Sequence, residues 1–189
     1  MSNIIRAFLS IEIEDRVLLS QIQKTQQRLD KSSAKMKIVE IGNIHFTLRF
    51  FGDTPIERSV EIKNCLNEFR IAPFEVEIAG VGSFPNKRRP RTVWIGVTKN
   101  AFEVSKLKSE IDNSLVDIGY KLEKRKYTPH ATIARIRHVT DSKGIADNLE
   151  DLAGEVIGKM TISHVTMMKS TLTPAGPIYE SLWSIGNDA

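Results

Sequence analysis

Ile5, Ala7, Leu9, Ile11 and Ile13 alternate with Arg6, Phe8, Ser10 and Glu12, and a period of two marks a strand with one face on a core. The pattern then lengthens: Leu18, Ile22, Thr25 and Leu29 share one side of a helix predicted over residues 15–29. Residues 35–39 and 45–51 read as strands, the second closed by Gly52-Asp53. Residues 55–69 read as a helix, and Phe74-Val76-Ile78 and Val93-Ile95-Val97 as further alternating strands, with residues 80–91 between them as a Gly, Pro and Arg-rich loop. Asn100 with Glu103 predicts a capped helix carrying Val104, Leu107, Ile111, Leu115 and Ile118. Strands at 128–136, 160–168 and 178–185 and a short helix near Ile145, Leu149 and Leu152 complete the chain.

A strand, a helix, two strands and a helix are thus followed by a comparable series. No Gly/Ser linker separates the two, so the expectation is a single bilobal domain over residues 1–189. The fold class expected is α+β, two similar lobes of antiparallel sheet with outer helices. Strands with one polar face argue against a buried parallel sheet, whose strands are apolar on both sides.

Composition narrows the class. Apolar residues make up 41% of 189, enough for a buried interior. No stretch approaches the roughly 20 apolar residues of a membrane span. The opening Met1-Ser2-Asn3-Ile4-Ile5-Arg6 lacks a basic segment before a sustained apolar run, so a soluble, cytoplasmic protein is expected. Cys65 lies on the apolar stripe Ile62-x-x-Cys65-Leu66-x-x-Phe69 and reads as a small buried hydrophobe. A net charge of +4 mildly favours polyanionic partners. The charge is concentrated at Lys87-Arg88-Arg89-Pro90-Arg91, and at Lys121 with Lys124-Arg125-Lys126 shortly before His130.

His45-Phe46-Thr47-Leu48 and His130-Ala131-Thr132-Ile133 are two copies of His-x-Thr-apolar, one in each half of the chain. On a strand each His and its Thr share a face, roughly 7 Å apart. An imidazole that exchanges protons near neutrality, beside a hydroxyl that donates to an anionic oxygen, suits phosphodiester cleavage without a metal. All four histidines carry a Thr two places on, so the dipeptide spacing alone is weak. His138-Val139-Thr140 runs into Asp141, Ser142 and Lys143 and reads as a strand end entering a turn. His164-Val165-Thr166-Met167 satisfies the full pattern but lacks the half-chain spacing, and reads as a sheet-face histidine.

Four ordered blocks carry a resemblance. They are Asn43 to Gly52 (NIHFTLRFFG), Phe84 to Trp94 (FPNKRRPRTVW), Pro129 to Arg135 (PHATIAR) and Lys169 to Glu180 (KSTLTPAGPIYE). The chain resembles the RNA 2′,3′-cyclic phosphodiesterases, also called 2′-5′ RNA ligases, of the two-histidine phosphoesterase superfamily. That resemblance implies a cleft between two lobes with the two His-x-Thr strands facing each other. It implies hydrolysis of RNA 2′,3′-cyclic phosphate termini to 2′-phosphomonoesters, with possible joining of 2′-5′ ends, by His45 and His130. It also implies Thr47 and Thr132 on phosphate, no cofactor, and an RNA or oligonucleotide end as partner. His45 is implied as acid toward the 3′-oxygen and His130 as base toward water, roles that the residues themselves leave open.

Phe50 and Arg135 each lie five residues after their His, at positions that resemble the family's nucleotide contacts. An odd offset points to the opposite face of a flat strand, so this role requires a bulge or twist. The alternative is a core Phe50 and a solvated Arg135. Arg88, Arg89 and Arg91 read either as phosphate-backbone contacts or as a solvated turn. Trp94 and Trp183 read as core residues. Competing functions are a phosphodiesterase for another small cyclic or 2′-5′-linked nucleotide, and a non-catalytic nucleotide or RNA-binding module. No Cys, Asp or Glu stands at ligand spacing beside His45 and His130, which disfavours a metal site. A monomer is expected.

Overall fold

The computed structural model describes residues 3–174 and 176–186. Its elements run β1 Ile4–Glu12, α1 Arg16–Gln27, β2 Ala34–Ile38, a 3-10 turn Ile41–Asn43, β3 His45–Pro55, α2 Ile56–Cys65, β4 Phe74–Phe84, β5 Thr92–Val97, α3 Ala101–Val116, β6 His130–Val139, α4 Ser142–Asp151, β7 Val156–Ile162, β8 His164–Leu172 and β9 Pro177–Gly186. All printed strand pairings are antiparallel and join into one sheet of order β7-β4-β5-β6-β3-β1-β8-β9, with β2 added against β6. The order is symmetric about the β3–β6 junction, four strands on each side. The junction is thin: Phe46 opposite Ala131 is the pair that joins β3 to β6.

The apolar stripes of the helices meet one face of this sheet. Leu18 and Ile22 of α1, Ile62 of α2, Val104, Ile111 and Leu115 of α3, and Ile145 and Leu149 of α4 are buried against Phe46, Leu48, Ala131 and Ile133. Each fully buried large side chain contributes roughly 1.5–3 kcal/mol, so this layer, rather than helix propensity, holds the fold. The other sheet face is the cleft. Trp183 anchors β9 to α2 by donating its Nε1–H to Ser59 Oγ at 3.1 Å, in keeping with a packing role.

Three boundaries differ from the periodicity. Residues 80–84 belong to β4. Their glycines serve a bulge and a close contact: Gly80 has φ +79°, where the β4–β5 register shifts, and a Cβ on Gly82 would lie 2.2 Å from the Trp94 indole. Residues 160–168 are two strands divided at Ser163, β7 pairing with β4 and β8 with β1 and β9. The alternation continues across the division, so it carries no sign of the crossing. Asn100 makes no side-chain cap on α3; its φ is 62° and its Nδ2 donates to the Glu75 carbonyl at 2.7 Å.

Candidate active site

The two His-x-Thr segments meet at the sheet junction. Because Phe46 stands opposite Ala131 in an antiparallel pair, the register carries His45 toward Thr132 and Thr47 toward His130. All four line one cavity of about 390 Å³. Each imidazole is held in the same way: the Nδ1 of His45 lies 2.9 Å from the Asn43 carbonyl, and the Nδ1 of His130 lies 2.7 Å from the Thr128 carbonyl. A carbonyl only accepts, so Nδ1 carries the proton and donates, which leaves Nε2 for chemistry. In the empty cleft the Thr47 hydroxyl donates to His45 Nε2 at 3.1 Å.

A bulge in each strand does the rest. Ser10 pairs with Thr47 and Leu9 with Arg49, leaving Leu48 unmatched; Trp94 pairs with Thr132 and Val93 with Ala134, leaving Ile133 unmatched. Both bulges fall on the apolar residue that ends His-x-Thr-apolar. Leu48 and Arg49 are therefore buried in succession, as are Ile133 and Ala134, and the next residue returns to the cleft face. Phe50 and Arg135 consequently line the same cavity as the histidines. The odd offset is resolved by an inserted residue that resets the period of two.

Aromatic rings clamp both imidazoles. Phe8 stacks on His45 at 4.8 Å and Tyr179 meets it edge-on at 5.2 Å; Phe84 meets His130 edge-on at 5.0 Å, backed by Trp94 at 6.0 Å. Such ring pairs contribute about 0.5–1.5 kcal/mol each beyond area burial and restrict ring rotation. Phe8 was legible as an aromatic on the polar face of β1. Phe84, Trp94, Asn43 and Tyr179 lie in distinctive blocks, but nothing in their spacing marks them as ring partners.

A buried ionic cluster lies behind the site, invisible in the sequence. Arg49, turned inward by the Leu48 bulge, donates to Asp112 at 2.6 Å and to the Lys121 carbonyl at 2.8 Å. Lys108 pairs with Asp112 and, at 2.7 Å, with Glu123. Tyr127 donates its hydroxyl to the Thr47 carbonyl at 3.1 Å. These contacts fasten the segment leading into His130 onto the strand that carries Thr47.

Electrostatics distinguish the first histidine. Burial pulls the His45 imidazole down to about 4, and the Arg135 charge acts in the same direction against the Asn43 carbonyl. The unfolded chain therefore takes up a proton near 6.5 that the folded chain refuses until about 4, so stability falls as pH drops through that window. The loss is on the order of 3 kcal/mol from this group and does not grow below it. Denaturant midpoints between pH 4 and 7 are expected to show a shallower acid slope in His45→Gln than in the wild type; equal slopes would contradict the assignment.

The remaining candidates lie elsewhere. His138 is exposed near the end of β6. His164 borders a different cavity with Glu12, Asp15, Glu75 and Lys159. Arg88, Arg89 and Arg91 are exposed and outside the cleft lining; Asn86 Oδ1 accepts from the Arg88 and Arg89 amides at 3.1 and 2.9 Å, forming a tight turn. Among the described residues no group of three His, Cys, Asp or Glu is placed to hold a metal, and no helix is long and apolar enough to cross a membrane.

Comparison with known proteins agrees with this geometry. The family described as LigT like Phosphoesterase matches residues 13–94 and again 95–179, one match per His-x-Thr segment. A protein of Methanothermobacter thermautotrophicus named RNA 2′,3′-cyclic phosphodiesterase is 37% identical over 180 residues, 94% of this chain and 96% of its own. One of the same name from Methanocaldococcus jannaschii is 36% identical over 176 residues, covering 93% and 96%. The crystal structure of E. coli LigT complexed with 3′-AMP superposes with a TM-score of 0.77 at 17% identity, over 97% of this chain and 98% of that one; at that identity the likeness concerns the fold.

Proposed function

The chain belongs to the LigT-like phosphoesterase family, and from that premise we propose that it hydrolyses RNA 2′,3′-cyclic phosphate termini to 2′-phosphomonoesters by two-histidine acid/base catalysis. The observation that carries this reading is the antiparallel meeting of two His-x-Thr segments at Phe46 and Ala131, with every His and Thr on one cavity. Opening the ring forms a bond from water oxygen to phosphorus and breaks the bond from phosphorus to the 3′-oxygen. One neutral imidazole takes the water proton and the other, protonated, supplies a proton to the departing 3′-oxygen. Thr47 and Thr132 donate to the non-bridging oxygens, whose charge is redistributed in the transition state. Joining 2′-5′ ends would use the same two transfers in reverse.

Burial keeps His45 neutral in the empty cleft. For His45 to act as the acid it must gain its proton along with the anionic substrate, whose charge beside the ring raises the imidazole again. Phe50 and Arg135 contact the terminal nucleotide from opposite lobes, and the protein works as a monomeric bilobal domain over residues 1–189 in the cytoplasm. The alternative substrate is a smaller cyclic or 2′-5′-linked nucleotide, favoured by the exposure of Arg88, Arg89 and Arg91 away from the cavity. The test is incubation with RNA ending in a 2′,3′-cyclic phosphate, with and without EDTA, following the product by phosphatase susceptibility and phosphorus NMR. An unaltered terminus overturns the proposal, and loss of activity in EDTA overturns its metal-free chemistry.

The basic loop acts on longer chains. Changing Arg88, Arg89 and Arg91 together to Ala is expected to raise KM for an oligonucleotide more than for a nucleoside 2′,3′-cyclic phosphate, and to flatten the salt dependence of the former. Equal damage to both would place the loop in shaping the site or the fold.

A further inference from the structure

The chemistry above leaves one row of cleft residues without a task. Arg6 on β1 stands opposite Ser170 on β8, and Ser170 stands opposite Tyr179 on β9. All three line the cleft cavity. Neighbouring strands lie about 4.8 Å apart, so the row extends about 10 Å across the sheet. It consists of a guanidinium, an aliphatic hydroxyl and a phenol, with no carboxylate among them. Neither the Ser170 nor the Tyr179 hydroxyl has a hydrogen-bond partner among the described residues. Arg6 has no acidic partner there either; its guanidinium instead rests 4.8 Å from the centre of the Phe50 ring.

The row begins beside the reacting group and leads away from it. Tyr179 touches the His45 ring edge-on at 5.2 Å. Phe8 stacks on the same imidazole at 4.8 Å, and Arg6 lies two residues further along the same strand face, about 7 Å beyond. From the junction outward the order is therefore imidazole, aromatic ring, cation. A terminal nucleotide with its cyclic phosphate at the imidazoles has the same order: phosphate, nucleoside, then the phosphodiester on its 5′ side. The cyclic phosphate is a single negative charge already served by two imidazoles and two threonines. A guanidinium one step further out, flanked by free hydroxyls, matches a second phosphate, which accepts several charge-assisted hydrogen bonds at once.

We infer that Arg6, Ser170 and Tyr179 form a second phosphate subsite, which holds the phosphodiester 5′ to the terminal nucleotide and so distinguishes the end of an RNA chain from a free nucleoside cyclic phosphate. This rests on the reading of the cleft as a nucleotide-end site. The subsite is tested by binding, which needs no turnover. Calorimetry at low salt compares adenosine 3′,5′-bisphosphate with adenosine 3′-monophosphate, which differ only in the 5′-phosphate. The wild type is expected to bind the bisphosphate about tenfold more tightly, with the ratio shrinking as salt is raised. Arg6→Gln should bring the ratio close to one, Arg6→Lys should restore part of it, and Ser170→Ala should lower it less than Arg6→Gln. Equal affinity of the two ligands in the wild type overturns the subsite. So does an Arg6→Gln variant that weakens both ligands by the same factor, since Arg6 would then serve only to hold Phe50. A wild type that keeps the bisphosphate preference yet leaves cyclic phosphates unopened supports the subsite and overturns the functional reading instead.

Discussion

Replacing either His45 or His130 by Ala is expected to lower kcat on a 2′,3′-cyclic phosphate by about 10²–10⁴-fold, the usual contribution of one positioned proton transfer. Both line the cavity at the β3–β6 junction with Nδ1 committed to a backbone carbonyl, so each loss removes a distinct step of one displacement. The double variant is expected to be little worse than the poorer single one, because groups that act as a unit are not additive. His164→Ala serves as the control, since that residue borders a separate cavity with Glu12 and Glu75. Its turnover should stay close to that of the wild type, and a comparable loss there would sink the assignment. Thermal melts of all four proteins separate lost chemistry from lost structure.

Asp112→Ala is expected to destabilise the fold by about 3–5 kcal/mol, the range for breaking a buried ion pair from one side. Asp112 holds two cations, Arg49 and Lys108, and the side chains of all three are less than a tenth exposed. Removing it leaves both cations without their shared buried carboxylate. Arg49→Met should cost less, because Asp112 keeps Lys108 and only the donors to Asp112 and the Lys121 carbonyl disappear. For a domain of this size each kcal/mol moves Tm by roughly 2–4 °C, so calorimetry should separate the two variants clearly. A melting temperature unchanged in Asp112→Ala would mean that the cluster does not bear on stability.

The sequence by itself determined the α+β class, the antiparallel strands and the two catalytic candidates, because these follow from local periodicity and from one motif carried in both halves. An alternating strand such as β1 must put Ile5, Ala7, Leu9 and Ile11 on one face, whatever else the chain does. Boundaries set by distant partners were not legible. Residues 160–168 alternate without interruption, yet the chain crosses from one lobe to the other at Ser163. The glycines of β4 resemble a loop until Trp94 is seen lying against them.

Tertiary structure alone decided the rest of the site. Whether Phe50 and Arg135 reach the cleft depends on the bulges at Leu48 and Ile133, and a bulge is a mismatch between two strands that neither strand carries in its own residues. The pairing of each imidazole with the other lobe's threonine follows from a single cross-strand register, Phe46 opposite Ala131. The low proton affinity of His45 comes from burial, to which rings on β1 and β9 contribute at 4.8 and 5.2 Å, and from Arg135 on β6. Arg49, by its residue type an exposed charge, is instead turned inward onto Asp112, 63 positions away. Local pattern thus chose the elements and the chemistry-bearing residues, while contacts between residues remote in sequence set their facing, their charge state and their spacing. Periodicity reports only which face a side chain takes within its own element, and the environment of that side chain belongs to the elements packed against it.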